Sequence, residues 1–334
     1  MINSKILNPQ TLSLLKRIFD NKTPILLMMQ GLPGSGKSTI ATEISNAFEN
    51  TIIHSSDNLR QELYGDSRIQ RDNNKLFTEL HRRIKVDLGN GKNVIYDATN
   101  INKKQRIEFL KELKYYPCYK VNILAMTPYG ECLKRDGNRD RIVGEKTVKR
   151  MYHSWQPPHY SEGFDEIIPI YADDYDYEKE YNLDLLIDIM MGFDQKNSHH
   201  QLTLGEHCIK AYKFMETYHS DNPLLKIAAL LHDVGKLYTQ SHYNMKGEYS
   251  EECHYYNHNC VGAYECFFYI NNYLDDNTVD IVELIYIANL IYYHMHPYVT
   301  WVTSEKCLRR DADLLGAKLF SDICYLHDAD LFAH

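Results

Sequence analysis

The stretch Gly31-Leu32-Pro33-Gly34-Ser35-Gly36-Lys37-Ser38-Thr39 sets glycines, an ammonium and hydroxyls at the spacing G-x-x-x-x-G-K-S. Glycines in such a loop let backbone N–H groups turn inward, and the helix that follows adds a field favourable to phosphate. Lys37 can reach the β- and γ-phosphates of a nucleoside triphosphate, and Ser38 can hold Mg²⁺. Gly34, Ser35, Gly36, Lys37, Ser38 and Thr39 are therefore expected to bind the nucleotide. Further along, Asp57 and Arg60 stand one helical turn apart, as a base for an attacking hydroxyl and a grip for an acceptor phosphate. Asp57 can equally cap a helix, as can Ser55 and Ser56. Asp97 ends an apolar run and can orient Mg²⁺-bound water or the acceptor, with Thr99 or Asn100 as caps of the next helix. Arg135, Arg139 and Arg141 can close over a transferring phosphate, or form a solvated, salt-bridged helix with Asp136 and Asp140.

The second half is rich in histidine: His200, His207, His232, His254, His258, His294, His296, His327 and His334. Its sharpest stretch is Ala228-Ala229-Leu230-Leu231-His232-Asp233-Val234-Gly235-Lys236. An apolar helix ending in adjacent His and Asp sets two ligands suited to first-row divalent metals at the mouth of a bundle. His207 lies on an earlier predicted helix, His258 opens a later one and His294 ends an apolar helix. Asp330 lies in the last helix. Ligands from facing helices that converge in a bundle core are a recurring metal-site design.

The elements that must carry these residues differ between the halves. Helical spacing over 9–20, 72–89 and 103–113 alternates with apolar runs at Ile25–Met29, Thr51–His54, Asn93–Asp97 and Tyr119–Ala125. A basic helical stretch is expected at 128–150. Alternation of this kind predicts an α/β doubly wound parallel sheet. Tyr171–Tyr181 is acidic and tyrosine-rich, and from about 198 the pattern is helical to the end without evident strands. The expected organisation is 1–172 as the phosphate-loop domain, 173–197 as a junction and 198–334 as an all-α domain. Charge follows the same division: residues 1–160 carry 26 basic and 16 acidic side chains, residues 161–334 carry 11 and 29. A basic half suits a phosphate-rich chain, whereas the acidic half needs bound cations to accept one.

Four motifs taken in order, Gly31–Thr39, Asp57-x-x-Arg60, Asp97-x-Thr99-Asn100 and Arg135-x-x-x-Arg139, resemble the kinase domain of the bacteriophage polynucleotide 5′-kinases. The resemblance covers roughly residues 24–170, with Glu162–Ile167 as the terminal strand segment. It implies transfer of the γ-phosphate of ATP to a 5′-hydroxyl, with Mg²⁺, Asp57 as general base, Arg60 on the acceptor phosphate and Arg135 and Arg139 as lid arginines. The order His…His-Asp…His…His…Asp resembles the HD phosphohydrolase superfamily over about 198–334. That implies one or two divalent metals that cleave phosphomonoesters or phosphodiesters, held by His207, His232, Asp233, His258, His294 and a final acid. Asp330 fits the family's ending better than Asp328, and His294 competes with His296. Lys236 would help hold the scissile phosphate.

Joined, the two resemblances imply an end-healing enzyme acting on RNA or DNA ends: a single-stranded 5′-hydroxyl is phosphorylated, and a 2′,3′-cyclic phosphate or phosphate end is hydrolysed. Sealing would need a separate ligase. A nucleoside-type kinase fused to an HD nucleotide phosphohydrolase, and a nucleotide-binding regulator, are the competing expectations. Scattered cysteines without a C-x-x-C pair, no apolar run of 18 and no basic-apolar leader predict a reducing, cytoplasmic setting without membrane insertion.

Overall fold

Short apolar runs form the central sheet of the first unit, because strands covered on both faces read as continuous rather than alternating hydrophobic segments. The computed structural model describes residues 7–334 apart from 22, 70, 140, 198–200 and 276–278, so Asp140 and His200 lie outside the described residues. Chain order is α1 (Pro9–Phe19), β1 (Ile25–Gln30), α2 (Lys37–Ala47), β2 (Thr51–Ser55), α3 (Ser56–Tyr64), α4 (Asn73–Gly89) and β3 (Asn93–Asp97). Then come α5 (Lys103–Glu112), β4 (Tyr119–Met126), α6 (Tyr129–Gly137), α7 (Glu145–Tyr152) and β5 (Glu166–Tyr171). The sheet order is β2-β3-β1-β4-β5, with every pairing parallel. Leu27, Met29, Ile40, Ala41, Ile44, Ile95, Val121 and Ile123 bury themselves on one of its faces. The strand order turns at β1, between β3 and β4, and the carboxyl ends there form the crevice where such sheets bind ligands.

Two elements of the first unit depart from the sequence expectation. The basic stretch 128–150 is two helices, with Arg139 and Arg141 in the loop between them. Gly144 takes φ 92 there, and the buried Asp136 carboxylate accepts the backbone N–H of Val143 at 3.0 Å and Gly144 at 2.9 Å, which closes the loop. Asp136 is therefore an internal tie rather than part of a solvated helix. The terminal strand starts only at Glu166; Glu162 ends a 3₁₀ turn and pairs bidentately with Arg106 at 2.7 and 2.8 Å, both side chains fully buried.

The second unit comprises Tyr152–Pro157 and the chain from Asp176 onward. Its elements are α8 (Tyr177–Glu180), α9 (Leu183–Met191), α10 (Leu204–Tyr218), α11 (Pro223–Leu231), α12 (Lys236–Thr239), β6 (Ser241–Tyr243) and β7 (Tyr249–His254). They are followed by α13 (His258–Asp275), α14 (Ile281–Tyr293) and α15 (Glu305–Ala333), the last kinked at Gly316. The segment 173–197, expected as a junction, thus contributes two helices to this unit. Leu186 and Met190 of α9 are buried, and a Cβ on Gly205 would lie 2.6 Å from the Met191 nitrogen, so α9 and α10 touch backbone to backbone. The antiparallel hairpin β6–β7 was also not expected; its alternation is short, and Gly247 at φ 81 supplies the turn. Trp155 is buried edge-on against Tyr264 and Phe267. Among the described residues no helix is long and apolar enough to cross a membrane.

Candidate active sites

In the first unit the loop after β1 is built around left-handed glycines. Gly34 has φ 83 and would drive a Cβ to 2.2 Å from the Cys132 carbonyl, and Gly36 has φ 86 as the N-cap of α2. Lys37 is buried, and its ammonium donates to the Leu32 carbonyl at 2.6 Å, inside the loop that would cradle phosphate. Burial pulls its pKa below the ordinary lysine value, opposed by the carboxylate of Asp97. The Ser38 hydroxyl donates to Asp97 Oδ2 at 2.8 Å. A hydroxyl and a carboxylate brought together beside the loop match the hard oxygen ligands that Mg²⁺ takes, and neither lies within a helix cap. Asn102, not Thr99 or Asn100, caps α5, while the Asn100 amide donates to the Met29 carbonyl.

Asp57 stands in the first turn of α3 but makes no side-chain cap; Ser55 is the N-cap residue and makes none either. The Asp57 carboxylate instead pairs with Arg60 at 3.1 Å and Arg141 at 2.5 Å, while Arg60 also donates to Asn73. These groups line a cavity of about 660 Å³ with Lys37, Ser38, Asp97, Arg139, Arg68 and Arg150. The two lid arginines separate. Arg139 faces this cavity, whereas Arg135 joins Ser35, Gly36, Thr39 and Asp174 around a smaller one of about 280 Å³ and is paired with Glu131 and Asp174. Arg68, Arg150, Asn73 and Phe77 were not singled out from sequence; the only signal for the arginines was the basic bias of this half.

In the second unit the histidine and aspartate side chains converge from five elements. His207 comes from α10, His232 caps α11, Asp233 follows it, His258 begins α13, His294 caps α14 and Asp330 lies on α15. His207 Nε2 lies 3.2 Å from His232 Nε2, 3.0 Å from Asp330 Oδ1 and 3.4 Å from Asp233 Oδ2. His258 Nε2 lies 3.1 Å from His294 Nε2 and 3.2 Å from the other Asp233 oxygen. One carboxylate therefore joins two clusters of donors. His232, His258 and His294 each direct Nδ1 at a backbone carbonyl, of Ala229, Tyr255 and Ile291, at 2.8, 2.8 and 2.6 Å. A carbonyl only accepts, so Nδ1 must carry the hydrogen and Nε2 presents its lone pair to the centre, the metal-binding tautomer. Lone pairs on facing nitrogens with a carboxylate between them repel unless a cation lies among them. The donor set of imidazole and carboxylate thus fits one or two first-row divalent metals. Burial disfavours charge here, yet the Asp233 carboxylate raises the His232 pKa well above its usual value, and Lys236 and His232 hold Asp233 well below its own; a bound divalent metal would take the place of the His232 Nε2 proton.

Gly235 explains how the cluster closes: a Cβ there would meet the His258 carbonyl at 1.9 Å, so α13 can deliver His258 only past a glycine. Lys236 donates to Asp233 at 2.7 Å and to Gln195 at 2.9 Å. Asp328 is exposed and outside the cluster, and His296 packs on Tyr293 instead. His334 stands 3.6 Å from Asp330. A cavity of about 680 Å³ opens beside the cluster, lined by Asp233, Lys236, His258 and Asp330 and, beyond them, by residues of the unexpected hairpin.

Residues 26–158 match the family model of an AAA domain, and residues 204–329 match that of an HD domain. The chain therefore joins an α/β domain of the P-loop kinase fold to a helical HD domain. Among solved structures it is similar to two of a Pnkp1/Rnl/Hen1 complex, one described as an RNA repair complex. Each is 25% identical over 39% of this chain and 43% of that one, with TM-scores of 0.33 and 0.36. A fungal RNA kinase is 15% identical over 52% of this chain and 45% of its own, with a TM-score of 0.36. The chain spans less than half the length of each of these structures. No curated protein matches it.

Proposed function

We propose that the chain heals broken polynucleotide ends: the first unit phosphorylates a 5′-hydroxyl, and the second removes or opens the phosphate at the opposite terminus. The observation that carries this reading is the acceptor cavity. Arg60, Arg68, Arg139, Arg141 and Arg150 line it beside Lys37 and Asp57, a lining suited to an acceptor that itself bears phosphates. In that reading Asp57 takes the proton from the attacking hydroxyl as the new O–P bond forms to the γ-phosphorus of ATP. The bond to the β-phosphate oxygen breaks, and ADP leaves with the electron pair. Lys37 and Arg139 stabilise the charge that develops on the transferring oxygens. Arg60 grips the acceptor phosphate, and Arg135 sits on the nucleotide side of the loop. Ser38 and Asp97 would hold Mg²⁺, which neutralises phosphate charge when bound.

In the second unit His207, His232, Asp233, His258, His294 and Asp330 would hold one or two divalent metals. When bound, these supply Lewis-acid polarisation of the phosphoryl group and a water of lowered pKa. Lys236, tethered by Asp233 and Gln195, would help hold the scissile phosphate. Incubation of the protein with ATP, Mg²⁺ and a single-stranded RNA bearing a 5′-hydroxyl tests the first half directly. Transfer of labelled γ-phosphate to the strand is the expected result. Transfer to a nucleoside with none to the strand would shift the reading to a small-molecule kinase.

A further inference from the structure

The cavity beside the histidine cluster is far larger than a phosphate needs, and its outer wall has a chemistry of its own. At about 680 Å³ it falls within the range of sites that enclose a whole small molecule. The cluster lies at one side; Cys253, His254, Tyr255, Tyr256, Met295 and Tyr298 supply much of the rest. Tyr255 serves the cluster itself, since its ring lies under the Lys236 ammonium at 5.5 Å and its hydroxyl donates to the Gln195 carbonyl. Tyr256 stacks on His254, with ring centroids 5.3 Å apart and planes at 17°, yet remains 38% exposed. Tyr298 is braced edge-on by His327 at 4.2 Å. Two polar atoms on this wall, His254 Nε2 and the Tyr298 hydroxyl, are buried without a well-formed hydrogen bond, a state that costs stability unless a ligand completes it.

Stacked, preoriented rings beside unsatisfied polar atoms are the features that receive a base and its sugar. We propose that this wall binds the nucleoside part of a nucleoside phosphate, with the base on Tyr256, and with His254 and the Tyr298 hydroxyl as its hydrogen-bond partners. The unit would then select nucleoside phosphates over phosphate esters that lack a base. This rests on reading the cluster as a hydrolytic metal centre, but the wall's binding role can be measured apart from turnover.

The test uses the metal-loaded full chain with the kinase site filled by a non-hydrolysable ATP analogue. Hydrolysis of a 2′,3′-cyclic mononucleotide is compared with that of p-nitrophenyl phosphate, and binding of a nucleoside 3′-monophosphate is measured by calorimetry. Tyr256→Ala should lower the ratio of the two kcat/KM values, and weaken nucleotide binding, each by about tenfold. Tyr298→Phe, which keeps the ring, should weaken the same binding by several-fold and leave the fold intact. Nucleotide binding that falls with Tyr256→Ala, without hydrolysis of either substrate, would retain the wall and discard the hydrolase. Hydrolysis of both substrates with an unchanged ratio, and binding unmoved by either variant, would overturn the proposal. A trinucleotide with a 2′,3′-cyclic end, offered beside the mononucleotide, tells a strand end from a free nucleotide: tighter use of the trinucleotide assigns the wall to strand ends, equal use to free nucleotides.

Discussion

The two sites hold their charges in opposite ways. The histidine cluster is rigid: His207, His232, Asp233 and His294 are almost wholly buried, and backbone carbonyls set the tautomers of three imidazoles. The arginine-lined cavity is provisional. Arg139 is 41% exposed, Asp57 is 45% exposed, and Asp57, Arg60 and Arg141 are paired with one another. A metal centre needs ligands within tenths of an ångström before the ion arrives, so it is preorganised by packing. On the proposed reading, phosphates of the acceptor would replace these exchangeable ion pairs on binding.

The cores differ in the same sense. In the first unit the buried Glu162 is paired with Arg106. In the second, Glu265 is buried among aromatic rings, where burial pushes the carboxyl up to about 7 even though Tyr152, at 2.5 Å, and Tyr181 donate to it.

The comparison can be broken at several points. Asp233→Ala removes the carboxylate shared by both donor clusters; hydrolysis should fall by about 10⁴-fold and bound metal, read by elemental analysis, should disappear. Phosphoryl transfer should be unaltered, and a variant that keeps its metal would remove Asp233 from the site. Asp57→Ala should lower transfer by about 10³-fold while ATP binding and hydrolysis persist; parallel loss of both activities would contradict separate sites.

Arginine substitutions sharpen the contrast within one unit. Arg139→Ala should act on kcat, by about 10²-fold, because its guanidinium faces the cavity that holds Lys37 and Asp57. Arg135→Ala should raise KM for ATP by about tenfold with a smaller effect on kcat. Equal kinetic signatures would place both arginines in one role.

The smallest effect concerns pH. Folded Glu265 keeps a proton that the unfolded chain releases near 4.5, so the second unit should lose stability as pH rises from about 4.5 through about 7, by about 3 kcal/mol in total. Both tryptophans, Trp155 and Trp301, belong to this unit, so their fluorescence during urea unfolding of the metal-loaded protein reports on it selectively. Glu265→Gln should flatten that pH dependence; an unchanged slope would assign it to other groups.

Much of this molecule was legible locally. The glycine-rich loop, the alternation of apolar runs with helices, and the His-Asp pair at the end of an apolar helix depend on neighbours within a turn or two, where spacing and backbone sterics act directly. The break at 138–144 was less legible, because Asp136 reaches forward to tie Val143 and Gly144, a bond that propensity does not encode. The hairpin β6–β7 was hidden by its shortness, although Asn244 and Gly247 marked its turn.

What remained undecided in the sequence needed residues far apart to meet. Ser38 and Asp97 are 59 positions apart, and only the parallel pairing of β1 with β3 brings them within a hydrogen bond. Asp330 rather than Asp328 enters the cluster because one position on α15 faces His207 and the other faces solvent. Residue type and order determined which chemistry this chain can carry. Packing decided which of those groups share a centre, because convergence depends on how distant elements cross, down to a glycine at 235 whose missing side chain lets α13 come near.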